Sequence, residues 1–120
     1  MFFLFELWLN DIYKIIKMST IKFILLGDTL VGKTCLINQY IKKNFTYNSV
    51  PTISVDKFKK ELNLCNKILS LEICVTPGQE RFRSLNKIYM YNAKIAAIVY
   101  DITNQKSFDN IKKLVWRYKR

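Results

Sequence analysis

At 120 residues the chain is long enough for one domain with a real core, and for one domain at most. Half of it is hydrophobic and 14% is aromatic, which excludes a disordered or low-complexity polypeptide. Twenty Lys and Arg against nine Asp and Glu leave a formal charge of +11, but the charges lie scattered between apolar positions and no reader motif accompanies them, so nucleic acid is not an expected partner.

The chain opens with an apolar run, MFFLFELWL, broken by Glu6 and too short to span a bilayer. It has neither the positive start nor the small-residue cleavage site of a secretory signal. Two readings stand for residues 1–17: an amphipathic segment that lies on a membrane or packs on the domain, and upstream sequence ahead of a natural start at Met18. The second is preferred, because MSTIKFILLGD leads directly into a strand.

Residues 21–26, IKFILL, form a short apolar run that stops at Gly27, the pattern of a buried parallel strand. Residues 33–42 carry Leu36, Ile37, Tyr40 and Ile41 at helical spacing. Residues 54–64 and 67–74 are expected to be two strands of a hairpin turning at Cys65 and Asn66. A polar and aromatic stretch over 79–92 predicts a loop and a helix, and residues 95–100, IAAIVY, another buried strand. Ser107 stands where a helix N-cap is expected, ahead of an apolar face of Phe108, Ile111, Leu114 and Val115. Three cysteines, Cys35, Cys65 and Cys74, without CxxC spacing, predict reduced thiols rather than a disulfide framework or a zinc site.

Residues 27–34, GDTLVGKT, match GxxxxGK followed by Ser or Thr, between an expected strand and an expected helix. A tight glycine-containing turn there lets successive backbone N–H groups converge on phosphate oxygens where the helix begins. Gly27 and Gly32 provide backbone freedom, Lys33 is expected to reach the terminal phosphates, and the Thr34 hydroxyl to ligate Mg2+.

GDTLVGKTCL, PTISVDKF, PGQERFRSL and VYDITNQKSF follow one another in the order and separations of a known family. From about residue 21 to its end the chain resembles the Rab family of small GTPases. The resemblance implies the N-terminal part of a three-layer α/β/α P-loop fold, with about four strands and three helices, over a partial domain at 18–120. It implies that GTP or GDP binds at Gly27, Asp28, Thr29, Leu30, Val31, Gly32, Lys33, Thr34 and Cys35, with Phe45 stacked on the guanine. Thr52 would join Thr34 on the metal, the Gly78 N–H would sense the γ-phosphate, and Gln79 would orient the attacking water. Arg81, Phe82 and Arg83 would belong to the surface that effectors and regulators read. The expected role is a cytoplasmic switch in vesicle trafficking, at most peripheral to intracellular membranes.

The chain departs from the family where WDTAGQE becomes CVTPGQE. Val75 replaces an aspartate that holds a magnesium-bound water, which should weaken Mg2+ binding. Pro77 removes an N–H beside Gly78 and should stiffen the hinge, and Cys74 replaces an aromatic with a smaller side chain. Leu30 is bulkier than usual in the loop and is expected to be tolerated. The guanine-reading NKxD motif does not occur in these residues, and the last residues, WRYKR, contain no cysteine pair for a prenyl anchor. Without the later strands, IAAIVY is expected to be a bare apolar edge. A non-catalytic Rab-like fragment with weak nucleotide binding is therefore the alternative function, and a basic membrane-surface protein a third.

Overall fold

A strand hydrophobic on both faces has to be sandwiched, and residues 20–27 are such a strand: Ile21, Ile24, Leu25 and Leu26 are all buried. The computed structural model describes residues 2–4, 17–45, 51–64, 66–78 and 88–118. Its described elements are β1 (Phe2–Leu4), β2 (Thr20–Gly27), α1 (Lys33–Lys42), β3 (Asp56–Leu64), β4 (Lys67–Val75), β5 (Ile95–Tyr100) and α2 (Gln105–Tyr118). Residues 88–90 are also helical. The strands form one sheet in the order β1-β5-β2-β4-β3. β2 lies at its centre, parallel to β4 on one side and to β5 on the other.

The four strands and the helix at 33–42 stand where periodicity put them, within about two residues. β3 and β4 form the expected hairpin, in register from Asp56↔Val75 to Leu64↔Lys67, with Asn66 at φ 60 in the turn. Asn is among the few residues that adopt this left-handed conformation at small cost. β3 is an edge strand of alternating burial, with Lys57, Lys59 and Glu61 exposed; outward charge is a common defence of a free edge. On the inward side, Tyr40 does not join the core as its spacing suggests. It is 39% exposed, with the Lys60 ammonium 4.0 Å above its ring.

Two clusters hold the layers together. On one face Leu25, Ile73, Val75, Ala97 and Val99 meet Val31 and Ile37 of the loop and α1. On the other, Ile24, Leu26 and Cys74 meet Tyr89, Met90 and Ile98, and Tyr100 packs its ring edge-on against Phe108 of α2 at 5.1 Å. The expected α/β/α layering follows from these two faces. Cys74 therefore fills an aromatic's place as a fully buried thiol, which burial pushes above its usual pKa. Cys35 and Cys74 are both free thiols. No helix among the described residues is long and apolar enough to cross a membrane.

Two local expectations change. α2 begins at Gln105, so Ser107 sits in the first turn instead of capping it; its hydroxyl donates to the Asn104 carbonyl at 2.8 Å and accepts the Asp101 N–H at 3.0 Å. The edge of β5 is also not bare. β1 pairs with it antiparallel, in register Phe2↔Tyr100, Phe3↔Val99 and Leu4↔Ile98. Paired backbone on an edge withholds it from other chains. Deleting residues 1–4 is expected to leave a folded protein that self-associates, seen as a concentration-dependent rise in mass by light scattering. A truncated chain as monomeric as the parent would contradict this.

Candidate functional site

The site begins where β2 ends. Parallel pairing carries β2 as far as Gly27, opposite Val99 of β5, and the chain then turns over residues 28–32 into α1. Gly32 is the residue before the helix, at φ 95 and ψ 16, a conformation that a side chain disfavours and glycine accepts. Its carbonyl accepts the first helical bond from the Leu36 N–H at 3.0 Å. No side chain caps this end, so the N–H groups of the first turn remain available to an anion.

Lys33 is only 5% exposed. Its ammonium donates to the Gly27 carbonyl at 3.0 Å and to the Asp28 carbonyl at 2.6 Å, folding back over its own loop. Burial pulls it from the usual 10.5 down to about 8, with the Asp28 charge acting in the opposite direction. A buried ammonium with two carbonyl partners is short of negative charge, which a phosphate would supply.

The Thr34 and Thr52 hydroxyl oxygens lie 2.8 Å apart although they are 18 residues apart in sequence. Adjacent ligands of an octahedral magnesium ion stand about 3.0 Å apart, given metal–oxygen distances of about 2.1 Å. The pair therefore fits two neighbouring positions on Mg2+. Val75 adds nothing to that set: it is 0% exposed, inside the apolar cluster with Leu25 and Val31. Among the described residues no group of three or more His, Cys, Asp or Glu is placed to hold a metal.

These residues share one recess, lined by Thr29, Leu30, Gly32, Lys33, Thr34, Cys35, Pro51, Thr52 and Gly78. Gly78 enters it because Thr76 is anchored beneath: the Thr76 hydroxyl donates to the Leu25 carbonyl at 2.8 Å, and buried Pro77 continues the turn. A Cβ on Gly78 would collide with the backbone of Asp28 and Thr29, so only glycine lets this strap approach the loop.

Of the expected site residues, Val31 serves the core and lies at 3% exposure. Phe45 is 53% exposed and is not among the residues lining the recess. Gln79, Arg81, Phe82 and Arg83 lie outside the described residues. Leu30 is not simply tolerated: it holds φ 63 with its side chain 66% exposed, so a left-handed backbone is imposed on a residue that gains no burial from it. Sequence reasoning passed over Pro51, which lines the recess, and Asn110, whose side-chain N–H2 donates to the Asp28 carboxylate at 2.6 Å.

A model of the Ras family matches residues 22–120. Among similar curated proteins, the GTP-binding protein yptV5 of Volvox carteri is 42% identical over 84% of this chain and 48% of its own length. The Ras-related protein Rab-7b of Paramecium octaurelia is 43% identical over the same shares. The Ras-related protein RABG3a of Arabidopsis thaliana is 43% identical over 80% of this chain and 47% of its own. The chain spans about half the length of the curated relatives it matches.

Leu30→Gly should stabilise the chain by about 1 kcal/mol in urea unfolding, relief of left-handed strain exceeding the entropy that glycine adds to the unfolded state. A loss of stability would show that Leu30 is held by packing. The lowered Lys33 value fixes a second outcome. Between about pH 8 and 10.5 the unfolded chain holds a proton that the folded one has lost, so folding stability without ligand rises with pH through that window. Lys33→Met should flatten this rise in urea titrations across the window; an unchanged slope would mean that Lys33 does not cause it.

Proposed function

The chain belongs to the Ras family of small GTPases, with Rab-type proteins among its relatives, and on that footing we propose that residues 27–35 bind the phosphates of GTP or GDP in a nucleotide-dependent switch of the Rab type. The observation that carries this is the recess itself. A buried ammonium, a helix start without a side-chain cap, two hydroxyls 2.8 Å apart and a glycine strap converge on a space with phosphate-binding chemistry.

In this reading Lys33 exchanges the carbonyls of Gly27 and Asp28 for phosphate oxygens, whose negative charge holds its proton more firmly. The backbone N–H groups at the start of α1 hold the phosphates. Thr34 and Thr52 would hold Mg2+, which neutralises charge on the phosphates as they are cleaved. Gly78 has no side chain to block its N–H from a γ-phosphate, and Gln79 is assigned to orienting the attacking water. Phe45 is assigned to the guanine face, and Arg81, Phe82 and Arg83 to the surface that effectors and regulators meet. The place of action is the cytoplasm, at the surface of the vesicles whose traffic the switch controls.

Val75 favours a second reading, in which the chain holds nucleotide with little help from magnesium and hydrolyses it slowly or not at all. An isopropyl group in an apolar cluster accepts no hydrogen bond from a metal-bound water.

Titration with a fluorescent guanine nucleotide tests both. Saturable binding is expected, with less than about a tenfold gain from Mg2+ over chelator and affinity falling as pH rises above about 8, where Lys33 must take up a proton to bind. No saturable binding by folded protein would refute the first reading. Phosphate release from GTP at a family-like rate would refute the second.

A further inference from the structure

Asp28 places a carboxylate in a loop that would otherwise suit polyanions. Its charge is felt at Lys33, where it opposes the effect of burial. A carboxylate free to turn toward that ammonium would occupy the group that phosphate needs. In the structure it does not turn: the Asp28 carboxylate accepts from the Asn110 amide at 2.6 Å, across 82 residues of sequence. Asn110 is half-buried on α2, one residue before buried Ile111, so the helix presents it from a fixed base. On its other side the Asp28 backbone lies against Gly78. The loop's acidic residue is therefore held between a helix amide and a glycine strap.

We propose that Asn110 is a positioning residue for the phosphate loop, holding the Asp28 carboxylate away from Lys33 so that the ammonium stays open to an anionic ligand. An amide suits this role, since it donates a hydrogen bond to a carboxylate without adding a charge that would compete for phosphate. It also ties the seating of α2 to the shape of the loop, since any movement of the helix moves the group that restrains Asp28. The idea rests on the nucleotide-binding reading only for its kinetic readout.

The test is a double-mutant cycle on release of a fluorescent guanine nucleotide from the full chain. Asn110→Ala is expected to release nucleotide about tenfold faster, because the freed Asp28 carboxylate competes with phosphate for the Lys33 ammonium. In the Asp28→Asn background, where no carboxylate remains to compete, the same change should accelerate release less than about twofold. A merely structural Asn110 would act equally in both backgrounds, and that result, or no effect in either, overturns the proposal. If Asn110→Ala does not fold, Asn110→Ser carries the test in the same two backgrounds: faster release that is lost in the Asp28→Asn background is expected, and an equal effect in both, or none in either, overturns the proposal. If the parent chain binds no nucleotide, the proposed function fails and the amide resonances of residues 27–34 decide this inference separately. Shifts on Asn110→Ala that vanish in the Asp28→Asn background support it, and unchanged resonances overturn it.

Discussion

A buried ammonium group must find oxygen, and Lys33 takes it from the two carbonyls at the start of the loop that precedes its own helix. That contact requires a strand that ends at Gly27, a loop short enough to curl under the helix and a glycine before the first turn. The central position of β2, parallel to strands on both sides, delivers the first of these; Gly32 at φ 95 delivers the last. The desolvation that lowers the proton affinity of Lys33 is the same effect that makes the recess attractive to an anion.

The metal side of the site is built more sparsely. Thr34 and Thr52 come together from α1 and the segment before β3, and both supply neutral oxygen. Val75 belongs to the core rather than to the recess, because it joins Leu25 and Val31 in the cluster beneath the loop. On the proposed reading the arrangement cradles phosphate and lacks the negative charge that would hold a cation independently of nucleotide. The strap is packed against the loop: Thr76 is hydrogen-bonded to the Leu25 carbonyl, Pro77 is buried, and Gly78 lies against the backbone of Asp28 and Thr29.

Local pattern was enough for β2, the loop, α1 and the β3–β4 hairpin, because burial on both faces, a fixed motif and a two-residue turn each leave a mark within a dozen residues. It failed where the deciding contact is distant or conformational. Ser107 looks like a cap, but α2 starts earlier and the hydroxyl bonds back to Asn104. Leu30 reads as a bulky side chain, while the cost lies in its backbone angle. Asn110 carries no signal of its own, since its partner is fixed only once α2 packs beside the end of β2.

The pairing of β1 with β5 has a consequence for the order in which the sheet assembles. Phe2 and Tyr100 are joined across 98 positions of sequence, whereas the β3–β4 hairpin closes from Leu64 to Lys67. Because the entropy of closing a loop grows with its length, the hairpin forms on local contacts, and the pairing of β1 comes late in folding rather than seeding it.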